Sequence, residues 1–247
     1  MNADNIQPIL ADMAAHGDWG KAKDGYKEAL KAMIRASGAK DVLEVGGGRF
    51  PMFTQEEVEA LGIRYTSNDI SERELSLAPE WAGRAHFDIQ TPEGVDAFAG
   101  KFDFIFSMMV MEHVANFERA YKNIQSLLRP GGIAVAFHPV LYNTPFIINR
   151  LMPETLSAKL LKTMFPHRTD TGIPKFPATY SGCRISKAVR ARMRSFGFTD
   201  VQQIPFYGHN YYRKMPVIRS VHSALTNLVR SAGAKTLATY SLTVAVK

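Results

Sequence analysis

The chain has 247 residues, 46% of them hydrophobic and 21% charged, so a sizeable core can form. Its one cysteine, Cys183, excludes an internal disulfide and fits a reducing compartment. No run of about 18 apolar residues is present, which excludes a spanning helix, and residues 1–26 lack a basic start followed by an apolar stretch; a cytoplasmic protein is expected. The net charge of +7 is unevenly divided. Residues 1–138 carry 14 Lys/Arg against 20 Asp/Glu, whereas residues 139–247 carry 16 against 3. The basic half should attract an anionic substrate, a membrane face or a nucleic acid, unless it is only a solvated surface.

Strand and helix signals alternate from residue 24. "DGYKEALKAMIRASG" places Tyr26, Leu30, Met33 and Ile34 on one helical face and stops at Gly38. "DVLEV" predicts a buried strand. "TQEEVEALG" opens on a capping box from Thr54 to Glu57, and "RYTSND" is the next strand. "SERE" predicts a second capping box, "AHFDI" a short strand, and "TPEG" a helix start with proline at its first position. "KFDFIFSMM" is the most apolar strand candidate. The helix "NFERAYKNIQSLL" ends at Pro130-Gly131-Gly132, and "GIAVAFH" follows as a fifth strand.

After His138 the rhythm breaks. Six prolines fall within residues 139–182, with helical pieces expected around 156–165. "ISKAVRARMRSFGF" restores a helix that stops at Gly197. "FTDVQQIPF" and "LATYSLTVAV" alternate as strands, with mostly helical chain across 208–235. Strands separated by helices predict a mostly parallel sheet with helices on both faces, and ligands at the carboxyl ends of its strands. One domain over 1–247 is expected: an N-terminal helical cap (1–40), a ligand-binding half (41–138), and lid or acceptor insertions at 139–182 and 206–235.

Gly46, Gly47 and Gly48 follow the first strand, where missing Cβ atoms let a ligand approach the backbone. The dinucleotide pattern G-x-G-x-x-G would need a third glycine at position 51, which is Pro51, and no G-K-[ST] occurs. Asp69 ends the second strand, 25 residues after Glu44, where a carboxylate can accept hydrogen bonds from both hydroxyls of a ribose.

The stretch Glu44-Val45-Gly46-Gly47-Gly48-Arg49-Phe50 resembles the first motif of class I S-adenosylmethionine-dependent methyltransferases, E/D-x-G-x-G-x-G, with Phe50 replacing the last glycine. "FDFIFSMMVMEHV" and "LLRPGG" followed by "IAVAF" are similar to segments of the type 11 small-molecule group of that class. Together these segments cover about residues 41–138. The resemblance implies a Rossmann-like, seven-stranded sheet with its last strand antiparallel. It implies S-adenosyl-L-methionine as cofactor, S-adenosyl-L-homocysteine as product, and O- or N-methylation of a small-molecule or lipid-like acceptor. It also implies a donor site of Glu44, the three glycines, Asp69 with Ile70, Asp88 and Ile89 at the adenine, and Ser107 and Met108 at the methionine portion. Asp88 could equally cap the turn into "TPEG".

A base is needed only for a protonated acceptor. The candidates are His138, just beyond the fifth strand, His113, just after the fourth, and His209; each could instead be structural. No metal-ligand spacing is present. Phe206, Tyr207, Tyr211 and Tyr212 beside Arg213 and Lys214 could line a pocket, dip into a membrane interface or stack on bases, or belong to a lid packed on its own core. Peripheral membrane contact is the next expectation and nucleic acid the last, since no RNA-binding module is recognisable. The competing function is a non-catalytic ligand-binding or interaction protein on the same fold.

Overall fold

The computed structural model describes residues 3–143, 146–147, 176–210, 212 and 215–247. Helices α1 (Gln7–His16) and α2 (Trp19–Ser37) precede the sheet. The chain then runs β1 (Asp41–Val45), α3 (Gln55–Leu61), β2 (Arg64–Asp69), α4 (Glu72–Ser76), β3 (Gly83–His86), β4 (Phe102–Met108), α5 (Phe117–Leu127) and β5 (Leu128–Pro139). It closes with α6 (Lys187–Arg194), β6 (Asp200–Phe206), α7 (Pro216–Ser231) and β7 (Tyr240–Val246). The seven strands are ordered β3-β2-β1-β4-β5-β7-β6. All pairings are parallel except those of β7, which is antiparallel to both β5 and β6. This is the Rossmann-like methyltransferase architecture that the motif resemblance implies.

Composition explains the layering. β1, β4, β5 and β7 are buried nearly throughout, so they read as apolar runs rather than alternations. On α2 the expected face of Tyr26, Leu30, Met33 and Ile34 is buried, and Gly38 ends the helix in the left-handed region at φ +73°. The Tyr26 hydroxyl donates to the Ser107 carbonyl at 2.9 Å, fastening α2 to the carboxyl end of β4. At the opposite sheet edge Arg129 bridges Asp41 at 2.6 Å and Asp103 at 2.9 Å. The strand order reverses between β1 and β4, which opens the crevice in which ligands of such sheets bind.

Several local expectations are corrected. "TPEG" starts no helix. Asn123 on α5 donates to the carbonyls of Ile89 and Thr91, both at 2.8 Å, and the segment turns into a short 3-10 stretch, Asp96–Phe98. β3 stops at His86, short of the expected Ile89, and the Asn68 amide donates to the Ala85 and Phe87 carbonyls at 2.8 and 3.0 Å. Pro130-Gly131-Gly132 does not follow the helix as a loop; α5 passes directly into β5 and the three residues lie within the strand. There Gly131 N–H donates to Lys247 O and Lys247 N–H to Gly132 O, each at 2.9 Å.

The box at Thr54 is complete, but the one at Ser71 is half formed: Ser71 caps α4, while Glu74 pairs with Arg49. The expected helical pieces at 156–165, and Tyr211, Arg213 and Lys214, lie outside the described residues. Among the described residues no helix is long and apolar enough to cross a membrane.

Candidate active site

The turn Gly46–Gly48 leaves β1 and folds against the end of β2. Gly47 N–H donates to Asn68 O at 3.0 Å, and Ser67 Oγ donates to Gly48 O at 3.3 Å. A Cβ on Gly47 would sit 2.6 Å from both Glu44 Oε2 and Ser67 Oγ, which are buried. A Cβ on Gly48, at φ +49°, would sit 2.9 Å from Asp69 Oδ2. The glycine therefore leaves space beside that carboxylate. Arg49 holds the far side of the turn through a two-pronged pair with Glu74 at 2.5 and 2.6 Å. Gly47→Ala is expected to reduce stability by about 1–3 kcal/mol through overpacking, read from urea unfolding of the two proteins.

Glu44 lies beneath this turn rather than along its open side. It is buried, and its Oε2 accepts hydrogen bonds from the Tyr65 hydroxyl and from Met52 N–H. Burial raises its pKa to about 7, opposed by those two donors. Glu44 thus shapes the turn from beneath.

Asp69 ends β2 half-buried. Its Oδ1 accepts from Ser71 N–H at 2.8 Å, and burial lifts its pKa above the ordinary aspartate value, with the Ser71 bond opposing. Ile70 beside it is 48% exposed, a flat apolar surface at a strand end. Asp88 Oδ1 accepts from Gln90 N–H at 2.9 Å, so this oxygen caps the turn, and Ile89 is buried with its carbonyl taken by Asn123. Ser107 is buried and its carbonyl accepts from the Tyr26 hydroxyl; Met108 is half-buried.

Comparison with known proteins gives the family. The sequence matches the family model described as a methyltransferase domain over residues 16–203, most of the chain. The chain belongs to this methyltransferase family. No curated protein matches it by sequence. A solved S-adenosylmethionine-dependent methyltransferase from Archaeoglobus fulgidus aligns at 17% identity and TM-score 0.53, covering 93% of this chain and 100% of that one. Another from Mesorhizobium loti aligns at 17% and 0.51, covering 91% and 99%. A phosphoethanolamine N-methyltransferase from Haemonchus contortus, solved with phosphomonomethylethanolamine and S-adenosylhomocysteine, aligns at 14% and 0.51, covering 84% of this chain and 49% of its own. Enzymes of this fold draw the methyl group from S-adenosyl-L-methionine. The Gly48–Asp69 cradle and exposed Ile70 fit the adenosine of that donor.

In the methyltransferase the three histidines differ sharply. His138 is buried within the sheet. Its Nδ1 faces the Pro139 carbonyl at 3.0 Å, so that nitrogen donates, and Nε2 accepts from Thr243 Oγ1 at 2.9 Å. Burial lowers its pKa to about 4, the Pro139 carbonyl opposing. Both ring nitrogens are occupied inside the protein, a correction to its expected place as a base. His113, in the 3-10 turn Met111–His113, is partly exposed; its Nδ1 donates to Pro177 O at 3.2 Å and its Nε2 lies 4.0 Å from Glu112 Oε1. His209 Nε2 lies 3.2 Å from His222 Nε2 under the Tyr212 ring, and burial first, then His222, lowers its pKa to about 4.

A cleft of about 110 Å³ opens where β5 and β6 end and β7 begins, lined in part by Tyr142, Asn143, Tyr207, His222, Thr226 and Thr239. Asn143 Nδ2 donates to Leu237 O at 3.3 Å and to Thr239 Oγ1 at 3.4 Å. Its Oδ1 is buried with no partner among the described residues. Sequence reasoning missed this cleft, as it missed Tyr65, the Tyr26–Ser107 bond and the Arg49–Glu74 pair. The aromatic run at 206–212 was its one visible signal.

Proposed function

We propose that the chain transfers a methyl group from S-adenosylmethionine to a small, anionic or lipid-like acceptor, as a single domain in which residues 139–182 and 206–235 cover the acceptor. The half-buried Asp69 carboxylate, kept accessible by Gly48 and flanked by exposed Ile70, carries this reading. The donor supplies an electrophilic methyl on a sulfonium. Asp69 accepts the ribose hydroxyls, Ile70 lies against the purine, and Asp88 sits on the adenine side. The glycine turn runs along the methionine portion.

The acceptor enters from the cleft beyond β5 and β7, so its nucleophile meets the methyl along the sheet edge, away from water. The basic composition of residues 139–247 favours an anion. If the acceptor is protonated, His113 takes the proton at Nε2, which lies 4.0 Å from Glu112 Oε1.

S-adenosylhomocysteine is expected to raise the melting temperature, whereas NAD and NADP leave it unchanged. Stabilisation by nicotinamide nucleotides alone would sink the donor assignment. A metabolite screen read by release of S-adenosylhomocysteine then separates an enzyme from a binding protein.

A further inference from the structure

The Gln90 amide joins two parts of the site that are distant in sequence. Its Oε1 accepts from the backbone N–H groups of Ala115 and Asn116, at 2.7 and 2.9 Å. Both residues lie just before α5, where backbone donors have no partner within the helix. Two donors on one atom fix the orientation of the amide: the oxygen must face them, so the nitrogen faces the other way. There Nε2 donates to Asp88 Oδ1 at 3.3 Å. The Gln90 backbone N–H donates to the same oxygen at 2.9 Å. Asn123 on α5 holds this turn separately, through the Ile89 and Thr91 carbonyls.

Gln90 makes the two Asp88 oxygens unlike. Oδ1 is taken twice, whereas Oδ2 is bonded to none of the described residues and remains for a ligand. The 6-amino group of an adenine is a donor and suits such an acceptor. A carbonyl in its place would meet a carboxylate with no proton between them. A carboxylate free to rotate would make this distinction poorly; one held by a neighbouring amide makes it well.

We propose that Gln90 is a positioning residue for recognition of the donor's base: it holds Asp88 so that Oδ2 accepts from the adenine amino group, and the protein therefore selects adenine over a purine with a carbonyl at that position. This rests on the reading of Asp88 at the adenine. The same amide ties the adenine end of the crevice to the segment that follows His113.

The test is calorimetric titration of the full chain at pH 8 with S-adenosylhomocysteine and with its inosine analogue, in which a carbonyl replaces the 6-amino group. The wild type should bind the adenine form about a hundredfold or more tighter. Gln90→Glu keeps an oxygen for the Ala115 and Asn116 N–H groups but sets an acceptor, and a second negative charge, against Asp88 Oδ1. It should fold, since Asn123 still holds the turn, while its preference for the adenine form drops about tenfold or more. Gln90→Met removes the donor without adding a charge and should lower the preference in the same direction. In Asp88→Asn the side-chain oxygen stays with Gln90 and the nitrogen faces the base, a donor that suits a carbonyl, so the preference should disappear or reverse.

A wild type that does not distinguish the two ligands would overturn the inference. So would Gln90 variants that bind both ligands more weakly by one factor, because an amide that only supports the fold acts on both alike. A collapse of preference in Asp88→Asn with none in the Gln90 variants removes Gln90 alone. An intact preference in Asp88→Asn removes Asp88 from the adenine, and the role of Gln90 with it. Binding of S-adenosylhomocysteine itself, and the methyl-transfer reading, survive either result.

Discussion

Asp69→Ala is expected to lose nearly all of the thermal stabilisation that S-adenosylhomocysteine gives the wild type. The two ribose hydroxyls would donate to a half-buried carboxylate, and hydrogen bonds to charged groups contribute about 1.5–3 kcal/mol each. Loss of the pair, offset in part by water, weakens binding by about a hundredfold. At a ligand concentration near 100 times the wild-type Kd, stabilisation of about 2.7 kcal/mol falls to about 0.4 kcal/mol. For a chain of this size the shift in melting temperature falls from about 5–10 °C to about 1 °C. Asp69 also accepts from Ser71 N–H at the start of α4, so the alanine variant carries a separate stability cost. Asp69→Asn separates the two effects. Its amide oxygen still takes the Ser71 bond, but it lacks the charge and one acceptor, so it should fold normally and still bind weakly. An undiminished shift in both variants would remove Asp69 from the donor site.

What was legible in the sequence follows from the range of the interactions involved. β1, β2 and β4, the Tyr26 face of α2 and the cap at Thr54 depend on neighbours in sequence, and local pattern found them. The glycine turn and Asp69 were legible because two adjacent strand ends bring them together, with Glu44 paired to Ser67 and Val45 to Asn68. The misread features depend on distant partners. "TPEG" has every local mark of a helix start, but Asn123, 32 positions from Thr91, removes a carbonyl the helix would need. His138 looks like a base at a strand end until Thr243, 105 positions away, fills its second nitrogen. Alternation could not show that no residue of α7 is buried, since an amphipathic pattern is the same whether or not its apolar side meets a core.

Glu44 leads to the second large effect, because a motif carboxyl held under the turn makes the fold sensitive to pH. Its folded pKa of about 7 lies above the ordinary value of 4.5. The folded state therefore binds this proton more tightly than the unfolded chain. The resulting stabilisation is present in full below the unfolded value and is lost as pH rises through about 7. A difference of this size corresponds to about 3 kcal/mol. Glu44→Gln should remove it: the amide oxygen still accepts from Tyr65 and Met52 N–H, and no charge is buried at any pH.

His138 acts in the opposite direction. Its folded pKa of about 4 lies below the ordinary 6.5, so its contribution is present above the unfolded value and is lost as pH falls toward 4. The two slopes oppose each other between about pH 4.5 and 6.5, which flattens the wild-type profile and hides both groups. Urea unfolding of wild type and Glu44→Gln across pH 4.5 to 8 isolates the Glu44 contribution as a difference. The variant should gain on the wild type by up to about 3 kcal/mol as pH rises, and its own stability should fall more steeply in acid because His138 is then unopposed. A constant difference across that range would mean that Glu44 is ionised throughout. The glycine turn would then rest on a buried carboxylate rather than on a proton-bearing one.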